Sequence, residues 1–392
     1  MMNMVNNKCG DISCSQCGGC NISQGNYDSI LKEKVNNAIV LLKEVYKKDV
    51  EVISMEDAYN YRNKGKYVFG NDYKTNSIKM GFFEEGTHRI VNTTNCKIQN
   101  EIINEVADYF FELVKKYKIS IYDEDKKKGI LRHLVVRVGV NSNEIMVILV
   151  TADYKLSRGK DIVNDLITKF PNIKSIVQNI NEKENSAVLG EKNYDLYGNG
   201  FIVEKLEQYK FKISPLSFFQ VNTKQTVKLY NKAIEYANLN ENDIVYDLYC
   251  GTGTISVFLA KHVKYVYGIE VIPDAIKDAK INLQFNKINN INLQVGKVEF
   301  LLPKLYTKGI KPNVIFVDPP RSGLDNKTIQ ALLNIKSEKI IYISCNPVTF
   351  VDNVKSLNEQ YVLEKVSLVD MFPFTSHIEC VSILKLKSEC KY

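Results

Sequence analysis

Cys345 closes the apolar run that begins at Ile340 and stands two residues before Pro347, in the stretch IIYISCNPVTF. A thiol placed there has two readings: a small core residue at the end of a strand, or a nucleophile whose thiolate attacks an electrophilic carbon. Position alone does not choose between them. Further on, DMFPFTSHIEC places His377 and Glu379 in a turn leading to the final strand. Two residues apart in extended backbone they point to the same side, and one of them could serve as a base.

Two other stretches can bring a ligand to that thiol. VYDLYCGTGTISVFLA, residues 245–260, reads as strand, glycine-rich turn and helix, with Gly251 and Gly253 letting a ligand approach the backbone. A lone G-x-G is equally an ordinary tight turn. Glu270, ending the next strand in YVYGIEV, falls about 20 residues on, where an acidic side chain binds a ribose diol. The expected ligand therefore contains adenosine. NAD and S-adenosylmethionine both meet such a carboxylate, but Ser256 stands at the last glycine position of the dinucleotide pattern G-x-G-x-x-G, so a pyrophosphate loses support. The second stretch, VDPPRSG, ends the strand NVIFV with Asp318, Pro319, Pro320 and Arg321. Its two prolines make a stiff exit without backbone donors, leaving carbonyls free to face a ligand.

The elements that must hold these residues follow from hydrophobic patterning. Beyond Pro215, short apolar strands alternate with helical segments, which implies a doubly wound parallel sheet, with the last strands forming an antiparallel edge. Gly251, Glu270, Asp318 and Cys345 would then all lie at its carboxyl edge, where such sheets bind ligands. From about residue 50 to 212 strands dominate (KYVFG, SIKMGFFEEGTHRIV, LRHLVVRVGV, EIMVILVT), with helical segments near 97–117 and 158–170, an α+β pattern. Leu31, Val35, Ile39, Leu42 and Tyr46 form the apolar stripe of a first helix. The expected organisation is thus 1–50, a cysteine-rich segment and first helix; 51–212, an α+β domain; and 213–392, a Rossmann-like α/β domain. The domains are expected to pack tightly, since no low-complexity linker separates them.

The 392 residues exceed one ordinary core, and a net charge of +7 permits a polyanionic partner without demanding one. No apolar run approaches the roughly 18 residues of a membrane span, and the start MMNMVNNKCGD lacks the apolar core of a signal peptide. A cytoplasmic monomer away from membranes is expected. Four of the nine cysteines, Cys9, Cys14, Cys17 and Cys20, crowd the first twenty residues. In a reducing compartment that crowd reads as an iron or zinc site rather than as disulfides.

The stretches SPLSFFQVN, DLYCGTGT, GIEV, DPPRSG, ISCNP and FPFTSHIE, in this order, resemble the RNA uracil-5-methyltransferases, the group that holds the 23S rRNA and tRNA uridine-5 enzymes. The resemblance runs through the whole C-terminal half and implies a class I S-adenosylmethionine-dependent methyltransferase domain. It makes Cys345 the nucleophile toward carbon 6 of uracil and Glu379 the base that removes the carbon 5 proton. It makes Gln220, Tyr249, Gly251, Glu270 and Asp318 the cofactor site, with Arg321 a neighbour able to stabilise the adduct oxygen. Asp247 stands where methyltransferases commonly have an acidic residue. Thr254 and Lys297 depart from the family pattern, where Asn and Asp or Asn are usual.

The segment CGDISCSQCGGC with Cys96 resembles the family's 4Fe-4S site of C-x5-C-G-G-C and one distant cysteine. Cys17, Cys20 and Cys96 align with it. Asp11 falls at the first ligand position, so Cys14 is taken as the fourth ligand, with Cys9 as the alternative and zinc as the competing metal. The small TRAM-type RNA-binding barrel with which many relatives begin is expected to be absent, leaving YRNKGKY (61–67), THR (87–89) and LRHLVVR (131–137) to contact RNA. The cluster points to 23S rRNA as substrate, with the tRNA T-loop as runner-up. Two other classes compete: an iron-sulfur sensor that merely keeps the sheet, which has no need of Cys345 with Glu379, and an amino-methyltransferase, which has an aromatic residue where Arg321 stands.

Overall fold

The computed structural model describes residues 16–20, 25–72, 75, 77–93, 95–183 and 187–387. Helix α1 (Tyr27–Leu42) is capped by Asn26, whose side chain accepts from the Ser29 N–H. Its buried line is Ile30, Lys34, Ala38 and Leu42, one position off the expected stripe, which is only half-buried at Leu31, Val35 and Ile39. The offset has a cause: the Lys34 ammonium meets Asp370, so a cation can occupy the centre of the packed face. Strand β1 (Glu51–Ile53) follows.

The α+β unit consists of β2 (Lys64–Asp72), β3 (Ser77–Phe83), β4 (Ile90–Asn92), α2 (Glu101–Lys116), β5 (Leu131–Val138), β6 (Ile145–Thr151), α3 (Gly159–Lys169), β7 (Ile173–Ile180) and β8 (Lys192–Gly198). Its sheet runs β4-β3-β2-β5-β6-β7-β8 and is antiparallel except at β6–β7, which α3 joins as a crossover. Helix α2 buries Ile103, Val106, Ala107, Phe110, Leu113 and Val114 at helical spacing against one face of that sheet. The other face, at Val135, Met146, Ile148 and Val150, shares a core with the hairpin β9 (Ile202–Leu206) and β10 (Tyr209–Ile213) and with α4 (Thr223–Ala237). The same core continues into the last domain, so the two sheets are packed together, as expected.

That domain comprises β11 (Ile244–Leu248), α5 (Thr254–Ala260), β12 (Tyr265–Glu270), α6 (Pro273–Phe285), β13 (Ile291–Val295), α7 (Val298–Thr307), β14 (Val314–Val317), α8 (Asn326–Ile335), β15 (Lys339–Ser344), α9 (Pro347–Leu357), β16 (Tyr361–Val369) and β17 (Glu379–Leu386). The sheet order is β1-β16-β17-β15-β14-β11-β12-β13. From β11 the chain winds outward through β12 and β13, then returns to β14 and winds the other way; the crevice at this switch point is where ligands bind.

Two sequence expectations change here. The antiparallel strand β17 lies inside the sheet, between β15 and β16, and the edge is β1, parallel to β16. Helix α1 packs on α9, with Ala38, Leu42 and Tyr46 in the core of this sheet, so residues 27–53 are built into the methyltransferase-like domain rather than dividing at residue 51. A three-residue strand and one helix carry no pattern that reveals which sheet they will join. Among the described residues no helix is long and apolar enough to cross a membrane.

Candidate active site

The loop after β11 needs backbone freedom. Gly251 (φ +54°) and Gly253 (φ +74°) both lie in the left-handed region, and a Cβ on Gly251 would point into open space, so this peptide is free to meet a ligand. Tyr249 shares the left-handed conformation at φ +64°, a strained choice for an aromatic residue. Its hydroxyl is hydrogen-bonded to Thr328, so what Tyr249 offers the crevice is its backbone. Glu270 is buried at the end of β12, accepting from Gly251 N at 3.0 Å and Ile272 N at 2.8 Å, one bond on each oxygen. Free lone pairs remain for a diol. Ser256, at the position a dinucleotide fold reserves for glycine, donates to Asp247 at 2.5 Å and ties β11 to α5. Burial pushes the Asp247 carboxyl up to about 7. Asp247 is therefore a buried staple beside the loop.

The segment 214–222 is fixed from three sides. Ser217 Oγ donates to Asp278 on α6 at 2.7 Å, Arg137 Nη2 on β5 donates to Ser217 O at 2.6 Å, and Asn63 Nδ2 donates to Gln220 O at 3.0 Å. Asn222 caps α4 and donates from Nδ2 to Met371 O at 3.1 Å. Gln220 is buried in this frame while Phe218 is 71% exposed. Sequence reasoning missed Asp278 and Asn63 as supports because both are remote in the chain and ordinary in type. Thr254 is buried at the start of α5 and bonded to Tyr230, whereas Lys297 is exposed beside Glu299, 3.9 Å away.

The register of β15 and β17 joins the two candidate catalytic residues. The ladder ends where Ser344 pairs with Cys380, so Cys345 and Glu379, each one residue beyond, lie at the same end of the strands, and the Glu379 carboxylate acts on the Cys345 thiol. Cys345 is half-buried; burial pushes its thiol up, the Glu379 and Asp318 carboxylates add to the effect, and Arg321 opposes it. Glu379 is buried and pushed up to about 8 by burial and by Asp318, again against Arg321. Asp318 is pushed up to about 7 by burial and then by Asp247. The Glu379 and Asp318 carboxyls thus act on the Cys345 thiol, and the Arg321 guanidinium acts on both Cys345 and Glu379.

Arg321 is held by its own carbonyl, which accepts from Asn346 Nδ2 at 3.1 Å and Thr349 Oγ1 at 3.3 Å, so the DPPRSG loop is pinned to the SCNP turn. Its guanidinium lies 3.3 Å from His377 Nε2. Burial pushes His377 down, and Arg321, Lys34 and Arg62 push it further. His377 is exposed on the arginine and Glu379 is buried beside the thiol; of the two base candidates, Glu379 has the position.

Cys17, Cys20 and Cys96 line one cavity of about 70 Å³ together with Gly19, Arg62 and Phe82. Burial pushes the Cys17 and Cys96 thiols up, and Cys96 raises Cys17 further. Among the described residues no three side chains are set to hold a single metal ion. Cys9 and Cys14 lie outside the described residues. Cys250 and Cys380 are buried, as expected of core cysteines.

The eight-stranded sheet, its switch-point crevice and its glycine loop are those of a class I S-adenosylmethionine-dependent methyltransferase fold. Residues 26–387 match the model of the tRNA (uracil-5-)-methyltransferase family. The chain is 43% identical over 377 residues to an uncharacterized RNA methyltransferase of Oceanobacillus iheyensis, covering 95% of this chain and 82% of that one. It is 42% identical over 376 residues to one of Staphylococcus aureus, covering 95% and 83%. The structure also resembles that of Pyrococcus abyssi tRNA (uracil-54, C5)-methyltransferase in complex with S-adenosyl-L-homocysteine, with a TM-score of 0.78 and 29% identity, covering 94% of this chain and 86% of that one. The chain belongs to the tRNA (uracil-5-)-methyltransferase family and is an RNA methyltransferase of the uracil-5 class.

Proposed function

We propose that the protein methylates carbon 5 of a uridine in 23S rRNA through a covalent adduct of Cys345. The observation that supports this chemistry is the end of the β15–β17 ladder, which brings Cys345 and the buried Glu379 to one end of the sheet. Carbon 5 of uracil is a poor nucleophile until a thiolate adds to carbon 6, which moves electron density onto carbon 5 and the carbonyl oxygen. Gln220, the backbone at Tyr249 and Gly251, the Glu270 carboxylate and Asp318 would hold S-adenosylmethionine, whose methyl group would pass to the electron pair on carbon 5 as its bond to sulfur breaks and S-adenosylhomocysteine leaves.

Cys345 forms the bond to carbon 6, and Arg321 stabilises the negative charge that develops on the uracil oxygen. Glu379 then takes the proton from carbon 5, and the electron pair of that bond expels the thiolate, restoring the ring double bond. A base with its pKa near the working pH balances basicity against availability, which suits a carboxyl raised to about 8. The target base must leave its stack to reach the half-buried thiol.

We assign Cys14, Cys17, Cys20 and Cys96 to a 4Fe-4S cluster. Support comes from three of these thiols, Cys17, Cys20 and Cys96, lining one cavity, with zinc as the competing metal. That cysteine group also favours rRNA as substrate. The second reading, a tRNA T-loop uridine, is favoured by the likeness to a tRNA uracil-54 enzyme. The protein is read as a cytoplasmic monomer.

The test is transfer of labelled methyl from S-adenosylmethionine into a mixture of unmodified large-subunit rRNA and tRNA, followed by separation and digestion to nucleosides. Label in 5-methyluridine of rRNA supports the proposal. Label in tRNA alone replaces the substrate, and label in any other nucleoside overturns the chemistry.

A further inference from the structure

The start of β2 and the residues before it carry basic side chains on one face. Along residues 61–67 the chain alternates: Tyr61, Asn63, Gly65 and Tyr67 are buried, whereas Arg62, Lys64 and Lys66 project to the other face. That face is the one the central sheet turns to the methyltransferase domain, since Lys64 stands opposite Arg137 and Lys66 opposite Val135 across the ladder. The inward side chains fix the row against both loops of the site. Tyr61 O–H donates to Pro373 O at 3.1 Å, in the segment leading to Glu379, and Asn63 Nδ2 donates to Gln220 O at 3.0 Å.

The other basic residues expected to touch RNA are spent on structure. Arg89 pairs with Glu84, Arg132 donates to Asn181 O and Lys183 O, and Arg137 donates to Ser217 O and Pro215 O. The row on β2 differs. The charged groups acting on Lys64 are Arg137, Lys66 and Arg62, and those acting on Lys66 are Arg137 and Arg62, all of them cations. Burial and these neighbours push Lys64 down to about 6. Arg62 stands apart from the two lysines, since it lines the cavity of Cys17, Cys20 and Cys96. Crowding by like charges lowers the charge that Lys64 carries, and an anion laid beside Lys64 and Lys66 restores it.

We propose that Lys64 and Lys66 form a phosphate rail that grips the backbone of the RNA strand flanking the target uridine. Alternate side chains on a strand recur about 6.6 Å apart, a step of the same order as that between successive phosphates of an extended strand. The bonds of Tyr61 to Pro373 and of Asn63 to Gln220 set this row beside the two loops of the site. It contacts no base and positions the strand without reading it. The inference rests on the uracil-5 reading of the adjoining crevice and deepens it.

The test uses the full chain, saturated with S-adenosylhomocysteine, and unmodified transcripts of large-subunit rRNA and of tRNA. Binding is titrated across a salt series for the unsubstituted protein, for Lys64→Gln/Lys66→Gln, and for Lys64→Arg/Lys66→Arg. Each lost contact to a single strand lowers the slope of log affinity against log salt by roughly 0.7, so the Gln pair is expected to lose roughly 1.4. The loss should be equal on both RNAs, the KM for RNA should rise while kcat holds, and the Arg pair should keep the slope. An unchanged slope in the Gln pair, with the unsubstituted protein binding and methylating RNA, overturns the rail and leaves the crevice reading intact. Loss on one RNA only overturns the backbone assignment. An unsubstituted protein that binds RNA but transfers no methyl to uridine fails the crevice reading instead, and the rail falls with it.

Discussion

Lys34 Nζ lies 2.5 Å from Asp370 Oδ1, with both side chains buried, and joins α1 to the end of β16 across the length of the chain. The same ammonium donates to Phe372 O at 3.0 Å and His377 O at 3.3 Å, and Tyr27 O–H donates to the other Asp370 oxygen at 2.9 Å. The segment between β16 and β17, which bears His377 and delivers Glu379, is thus gripped from the N-terminal helix. Phe374, buried and in the left-handed region at φ +61°, packs in the same cluster as Tyr61 and Ile98, against which Cys20 and Cys96 also lie. The thiol cavity and the catalytic segment share one wall.

Removing one partner of a buried ion pair leaves the other charge uncompensated, at a cost of about 3–5 kcal/mol. Lys34→Met should lose stability of that order in denaturant unfolding, and adding Asp370→Asn should return part of it. A Lys34→Met protein as stable as the parent would show that the pair does not hold the segment.

Cys345→Ala should abolish methylation and adduct formation while S-adenosylhomocysteine binding, measured by calorimetry, stays within twofold. Residual turnover at the parent rate would remove Cys345 from the role of nucleophile.

Glu379→Gln removes the base but not the thiol. A protein–RNA adduct stable to denaturing electrophoresis should accumulate in the presence of S-adenosylmethionine. If methylation is lost and no adduct is seen, proton removal belongs to another group.

Glu379 pushed up to about 8 has two consequences with opposite signs. Proton removal needs the carboxylate, so single-turnover release of product should speed up as pH rises through about 8. Stability runs the other way. The folded state binds a proton that the unfolded state, with a glutamate pKa of about 4.3, gives up, so this contribution is full below about 4.3 and is lost as pH rises through about 8. The melting temperature should fall across that interval, and Glu379→Gln should flatten the fall. An identical profile in the variant would detach both effects from Glu379.

Protein purified without oxygen should contain iron and acid-labile sulfide in equal amounts, and Cys96→Ser should lose both while still binding S-adenosylhomocysteine. Zinc without sulfide would replace the cluster assignment.

The sequence determined the sheet edge at which the candidate residues lie. Strand-to-helix alternation beyond Pro215 requires a doubly wound sheet, and such a sheet collects Gly251, Glu270, Asp318 and Cys345 at its carboxyl end whatever the details. Position in the turn left His377 and Glu379 as alternatives and the resemblance pointed to Glu379; that Glu379 is buried and His377 exposed is decided by the fold. The sequence could not tell free cations from spent ones, since Arg132, Arg137 and Lys64 look alike until carbonyls from distant loops have engaged two of them. It also placed α1 with the cysteine segment, whereas that helix lies on the catalytic sheet. Periodicity reports which face of an element is apolar; the partner of that face, and a buried pair such as Lys34 with Asp370, is decided by contacts between residues far apart in the chain, which only the tertiary structure brings together.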